Sequence, residues 1–264
     1  MQGTVFFIGA GPGDPELITV KGRRLIDAAD LVLYAGSLVP QAVVARTKPG
    51  AAVVDSSGMT LEETHALMRE TARAGKTVAR VHTGDPSLYG AVREQMALLD
   101  ADAIPYEIVP GVTAAFAAAA AGRVSLTVPE SVQSFSVTRL GGRTDVPPGQ
   151  SVRDLARHGG SLAVYLSAPD ASRLEKELLA GGVDPQTPVL IAYRVGWPEE
   201  RLVRTDVSSL TATVAAEKFT RQTVFLVLPG ERDNGREKGG SLVSRLYAGD
   251  FFHGFRKSKE GEDA

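Results

Sequence analysis

Short β-branched runs alternate with helix-like stretches through the first 110 residues, and that alternation leaves few folds open. "TVFFIGA" (4–10) reads as a strand and "VKGRRLIDAA" (20–29) as a helix. "DLVLYAG" (30–36) and "AAVVDSS" (51–57) read as strands again, and "TLEETHALMRETARAG" (60–75) as the clearest helix. In that helix Thr60 and Glu63 form a capping box, Leu61, Leu67 and Met68 lie toward one face, and Gly75 stops it. "KTVARVHT" (76–83) is a strand, "AVREQMALLDA" (91–101) a helix, and "YEIVPG" (106–111) a closing strand. Repeated strand–helix–strand units predict a parallel sheet covered by helices.

The pattern pauses near "GRVSLTVPES" (122–131), which sets a first domain over 1–123 and a second over 124–233. Strands are expected over 134–140, 161–168, 187–195 and 223–230, helices from Ser151 and over 170–180, and a hairpin-like run before the last strand. This looser series suits a mixed sheet. From 234 to 264 the chain becomes a charged, glycine-rich tail, expected to carry one docked segment around "LYAGDFFHGF" (246–255).

Of the 264 residues, 43% are hydrophobic, enough for a real core, and none is cysteine. That removes disulfides, thiol nucleophiles and thiolate metal sites. His65, His82, His158 and His253 show no metal-ligand spacing. A net charge of −2 gives no overall pull toward nucleic acid or an anionic membrane. "AAFAAAAA" (114–121) is too short to span a bilayer and reads as a closely packed helix. With no basic, then apolar, leader visible at the start, a cytoplasmic protein is the expectation.

The first strand ends in "GAGPGDP" (9–15), a place where many α/β proteins hold a phosphate. A dinucleotide site needs G-x-G-x-x-G. Here Pro12 removes one N–H donor, and Asp14 stands where the third glycine belongs, its carboxylate opposed to a pyrophosphate. Something approaches this backbone closely, but a phosphate is a poor candidate. Two further loops, "HTGDPSLYG" (82–90) and "VPGVTAA" (109–115), also close strands of the first unit. In an open parallel sheet such ends share one edge, where ligands bind.

These three loops, in this order and spacing, resemble the signatures of the tetrapyrrole (corrin and porphyrin) methylase family. The resemblance covers essentially the whole chain and is weakest over 141–160 and at the extreme C-terminus. It implies a two-domain α/β fold, with a mainly parallel sheet in the first domain, a mixed sheet in the second, and S-adenosyl-L-methionine folded between them. S-adenosyl-L-homocysteine would be the product. By motif, Pro12, Thr83, Gly84, Asp85, Leu88, Thr113 and Ala114 would line the cofactor, joined by Leu166 and Tyr193. Asp85 suits a cationic sulfonium ligand, and reads equally as a turn aspartate bonding its own backbone. Thr113 reads equally as a helix cap, and Tyr89 as core or pocket wall.

"YAGSLVP" (34–40), "HTGDPSLYG" and "SRLYAGDFFHGFRK" (244–257) are similar to the branch of the family that methylates carbon 11 of precorrin-4 in cobalamin synthesis, giving precorrin-5. A homodimer is implied as well. Methyl transfer from a sulfonium is an in-line displacement, served by holding the partners about 3–3.5 Å apart. It needs no enzymic nucleophile, and no residue stands out as a base. Arginine forks match the substrate's rim carboxylates, which makes Arg139, Arg143 and Arg194 candidates. Alternatives are another precorrin or uroporphyrinogen methylase of the family, a nucleotide-dependent oxidoreductase, or a tetrapyrrole-binding module without catalysis. Pro12 and Asp14 weigh against the oxidoreductase, and the three intact loops against the module.

Overall fold

The structure, a computed structural model, describes residues 2–142 and 144–231. Arg143, the 234–264 tail and its apolar patch therefore lie outside the described residues. The chain forms two compact units. Among the described residues, one comprises those up to Ala121 together with Ala192–Leu202, and the other comprises Gly122–Ile191 and 203–231. The stretch 192–202, assigned by sequence to the second domain, belongs to the first unit.

In the first unit, strands β1 (Val5–Gly9), β2 (Leu31–Tyr34), β3 (Ala52–Asp55), β4 (Val78–His82) and β5 (Tyr106–Val109) form one sheet in the order β3-β2-β4-β1-β5. Every pairing is parallel. The connections run through α1 (Val20–Ala28), α2 (Gln41–Val44), α3 (Leu61–Arg73) and α4 (Val92–Ala101), and α5 (Ala114–Gly122) follows the last strand. Alternate strand residues feed two cores. Ile8, Val32, Ala79 and Val81 pack with Ile26, Val43 and Val44 of α1 and α2. Val5, Phe7, Leu33 and Val78 pack with Met68, Ala72 and Leu99 of α3 and α4. Both faces of the sheet are thus buried, which the apolar β1 and β2 require.

The predicted capping box of α3 is present, with Thr60 accepting from the Glu63 amide and Glu63 accepting from that of Thr60. Met68 reaches the core, but Leu61 remains 37% exposed. As the first helical residue it stands at the end of the buried stripe, which continues through Thr64, His65, Met68 and Ala72. In α5, Ala115, Ala117, Ala118 and Ala119 are buried, the close packing that the alanine run predicts.

The second sheet contains β6 (Phe135–Arg139), β7 (Ser161–Tyr165), β8 (Pro188–Tyr193), β9 (Arg201–Asp206) and β10 (Thr223–Val227), in the order β6-β7-β10-β8-β9. β6 runs parallel to β7 and β10 antiparallel to it, so the sheet is mixed. α6 (Val152–Ala156) and α7 (Ala171–Ala180) connect its first strands. The hairpin-like run is instead β9 followed by helix α8 (Leu210–Glu217). α8 is β-branched at Thr211, Thr213 and Val214, and Ser209 caps it without a side-chain bond. Its Thr211 amide is satisfied from outside, by Glu175 Oε2 on α7 at 3.0 Å. Local signals for this helix are weak because its cap is supplied by a distant residue. Among the described residues no helix is long and apolar enough to cross a membrane.

Candidate active site

Parallel register sets the site. Gly9 lies opposite His82, and Ile8 opposite both Val81 and Val109, so the carboxyl ends of β4, β1 and β5 are level. The loops that follow them therefore emerge side by side, and they are locked backbone to backbone. Gly84 N donates to Gly11 O at 2.7 Å, and Gly11 N to Gly84 O at 3.2 Å. A Cβ on Gly111 would stand 2.1 Å from Gly84 O and 2.7 Å from Gly9 Cα. A Cβ on Gly9 would meet Gly111 Cα at 2.5 Å. These neighbours are main-chain atoms and cannot swing aside, so glycine is required at both places.

Asp85 ties two of the loops together. Its Oδ1 accepts from Ser87 N at 2.8 Å, closing its own turn, and its Oδ2 accepts from Gly111 N at 2.9 Å across the gap to the β5 loop. The turn-aspartate geometry is present, and the carboxylate also fixes the position of Gly84. Replacing Asp85 with alanine leaves the Gly111 amide unpaired, at a cost of about 1–3 kcal/mol. Asp85→Ala is expected to lower both stability and cofactor affinity, the latter by about 1 kcal/mol or more, while Asp85→Asn, which keeps an acceptor, falls between. Thermal melts with calorimetric titration check this, and an alanine variant equal to the parent in both would remove Asp85 from the site.

The first loop is filled from the side by Trp197. Its Nε1 donates to the carbonyl of the buried Pro12 at 3.1 Å. A Cβ on Gly13, whose φ is +156°, would lie 2.4 Å from the indole Cδ1. Gly196, with φ +81°, brings the same segment within 2.8 Å of Asp14 N from its own would-be Cβ. Asp14 Oδ1 accepts from Glu16 N at 2.8 Å and caps a short turn. The space a phosphate would need beside Gly13 holds an indole. Arg194 lies 5.6 Å from the centres of both the Tyr193 and Trp197 rings, with Nη1 3.3 Å from Glu199 Oε2. Arg201 lies 5.1 Å from the Tyr193 ring.

His82 ends β4 beneath the second loop and is buried. Burial, and after it the charge of Arg80, push its pKa down to about 3, while a bond to the Gly90 backbone works in the opposite direction. It is neutral at physiological pH. The segments 9–15, 83–90 and 109–114 contain no Lys or Arg, and their acidic side chains are Asp14 and Asp85.

The structure thus brings Pro12, Thr83, Gly84, Asp85, Leu88, Thr113 and Ala114 onto one edge of the first unit, where Thr113 O accepts from the amides of Phe116 and Ala117 and starts α5. Tyr193 and Arg194 belong to the same unit. Leu166 belongs to the other, where it follows β7 with φ +55° and is 70% exposed. Arg139 turns back on its own loop: its guanidinium donates to the carbonyls of Leu140, Thr144 and Asp145 and to Thr144 Oγ1. With Arg173 it lines a cavity of about 580 Å³ in the second unit. Sequence reasoning missed Trp197, although the chain's one tryptophan beside a glycine was the available signal.

Comparison with known proteins agrees with this geometry. The sequence model of the Tetrapyrrole (Corrin/Porphyrin) Methylases matches residues 4–211. The chain belongs to the tetrapyrrole methylase family. Among relatives of this family, cobalt-precorrin-4 C(11)-methyltransferase of Priestia megaterium is 45% identical, over 98% of this chain and 99% of its own. Precorrin-4 C(11)-methyltransferase of Pseudomonas aeruginosa is 48% identical, over 85% and 89%. A solved structure of a cobalt precorrin-4 methyltransferase superposes with a TM-score of 0.83 at 46% identity, covering 85% of this chain and 94% of that one. The uroporphyrin-III C-methyltransferase of Thermus thermophilus, solved with S-adenosyl homocysteine, gives a TM-score of 0.72 at 30% identity, over 92% and 99%.

Proposed function

We propose that this chain is an S-adenosyl-L-methionine-dependent C-methyltransferase of cobalamin biosynthesis that methylates precorrin-4 at carbon 11, giving precorrin-5. The observation that carries the reading is the edge built from the three loops, close-packed through Gly9, Gly84 and Gly111 and free of cationic side chains. That edge suits a positively charged sulfonium ligand, since its three loops carry the acidic side chains of Asp14 and Asp85 and no Lys or Arg, and His82 is held neutral. Pro12, Thr83, Gly84, Asp85, Leu88, Thr113 and Ala114 would hold the cofactor, with Leu166 and Tyr193 as further contacts. S-adenosyl-L-methionine supplies, when bound, an electrophilic methyl group on sulfur.

The chain's own contribution is to position and to exclude water. Gly84, at φ +60°, offers its backbone without a side chain in the way, and Asp85 and Gly11 fix where that backbone stands. Leu166 supports the reading through its strained, exposed placement, a combination typical of ligand contacts. Regiochemistry rests on the 45% and 48% identical relatives named above. Arg139 and Arg194 are each engaged within their own loops, and the reading does not depend on them.

We extend the proposal to a cytoplasmic homodimer. Val53 on one edge strand and Ile108 on the other are 42% and 37% exposed, and Phe116 of α5 is 55% exposed, apolar surface that a second copy can cover. Light scattering should return twice the monomer mass.

Two measurements test the activity. Calorimetric titration should show binding of S-adenosyl-L-methionine or S-adenosyl-L-homocysteine and none of NAD or NADP. Carbon-13 NMR of product made with labelled methyl donor should place one label on carbon 11. A label on another ring carbon moves the protein to a neighbouring branch, and an unlabelled product ends the methyltransferase reading.

A further inference from the structure

The return of the second loop into α4 is held by a buried amide. Ala91, the residue before α4, has φ +47°, a left-handed conformation that a residue with a Cβ rarely adopts, and no side chain caps the helix there. One turn into the helix, Gln95 is only 5% exposed. Its Nε2 donates to Ala91 O at 2.9 Å, and its Oε1 accepts from Arg80 Nε at 3.0 Å. A guanidinium can only donate and a carbonyl can only accept, so the side chain between them must offer one acceptor and one donor. A neutral amide supplies both. An ionised glutamate has no donor.

Arg80 is fixed in its turn. Its Nη1 donates to Ser56 Oγ at 2.7 Å and to Leu33 O at 3.4 Å, so its acceptors among the described residues are all neutral. Burial pushes its pKa down to about 10, which leaves it charged at neutral pH. Buried charges are ordinarily paired with an opposite one. Glutamate at position 95 would give Arg80 a counter-ion, but would set a carboxylate oxygen against the Ala91 carbonyl. The chain forgoes the ion pair and keeps the donor to Ala91.

What that donor secures is the loop. A Cβ on Gly90 would lie 2.2 Å from Pro86 O, so the returning backbone rests directly on the Asp85–Pro86 turn. His82, at the end of β4, bonds the Gly90 backbone as well. Movement at Ala91 therefore passes by contact through Gly90 to Pro86 and to Asp85, whose carboxylate holds Gly111 N.

We infer that Gln95 is a positioning residue for the cofactor: by holding the Ala91 carbonyl it fixes the return of the second loop, and with it the Gly84–Asp85 backbone that would face S-adenosyl-L-methionine. The inference rests on the methyl-transfer reading and adds to it a residue that touches neither cofactor nor substrate.

Gln95→Glu keeps an acceptor for Arg80 and removes the donor to Ala91, whereas Gln95→Met removes both and needs no partner when buried. Each full-length variant is expected to bind S-adenosyl-L-homocysteine about fivefold or more weakly than the parent, the scale of one lost buried hydrogen bond. KM for S-adenosyl-L-methionine should rise by a similar factor while kcat stays within about threefold. Hydrogen exchange should quicken at the amides of 87–91 and stay unchanged in β1 and β4. A purely structural role would lower the melting temperature and leave affinity and KM where they are. A Gln95→Glu variant that binds the sulfur ligand within about twofold of the parent overturns the inference. So does exchange that fails to quicken at 87–91, or that quickens throughout the first sheet. Should Gln95→Glu not fold, Gln95→Met decides by the same measures. A parent that binds neither sulfur ligand overturns the methyl-transfer reading instead, and the exchange pattern still decides whether Gln95 holds the loop.

Discussion

Gly111→Ala is expected to destabilise the protein by about 3 kcal/mol, the scale of forcing an extra carbon into a packed site, and to abolish cofactor binding. The added Cβ has no rotamer to choose. It meets Gly84 O at 2.1 Å and Gly9 Cα at 2.7 Å, so two strand ends must separate before it fits. Separating them breaks the Gly111 N–Asp85 bond and moves Gly84, the residue proposed to face the cofactor. Gly58→Ala is the control. No atom lies within 4 Å of a Cβ at that position, so the change should alter stability by less than about 0.5 kcal/mol. Urea denaturation and calorimetric titration of both variants measure the contrast. A Gly111→Ala protein as stable as the parent would show that the three loops are not packed as described.

Trp197→Ala should have the next largest effect, a loss of about 2–3 kcal/mol for a half-buried indole and at least a tenfold drop in cofactor affinity. The substitution removes the donor to Pro12 O and the surface against which Gly13 closes. Nothing else in the first loop would then hold the Pro12 carbonyl in place by a bond of this kind among the described side-chain contacts. Trp197→Phe keeps most of the ring but not the N–H, and should recover more of the stability than of the affinity. Circular dichroism is the suitable probe, because the chain has one tryptophan and the variant loses it. Full cofactor affinity in Trp197→Ala would separate this ring from the site.

What the sequence disclosed follows the range of the interaction concerned. The capping box of α3 involves Thr60 and Glu63, three residues apart, and could be read directly. So could the parallel first sheet, since strand and helix periods are local. Pro12 and Asp14 were enough to argue against a phosphate, but not to say what takes its place. That is Trp197, 185 positions away from Pro12. Asp85 admitted two readings, and the one with backbone partners is seen, extended by a bond to Gly111 that no local pattern encodes. α8 was misread because its first-turn amide is capped by Glu175, 36 residues earlier, while its own Thr and Val suggest a strand. Arg139, a candidate from its residue type alone, finds acceptors for Nη1 and Nη2 within six residues of itself, a local arrangement that residue type does not reveal.

The seating of Trp197 against Pro12 and Gly13 also dictates when this protein can become competent during its synthesis. The five parallel strands of the first sheet are complete once Val109 has emerged from the ribosome, and that portion could condense early. The indole that closes the glycine turn arrives almost ninety residues later. Until then the nascent first unit carries an open groove at Gly13, with a backbone carbonyl awaiting its donor. Translation order alone therefore keeps the glycine turn unfinished until most of the second sheet has been made. A fragment ending at Ala121 inherits the sheet without the plug.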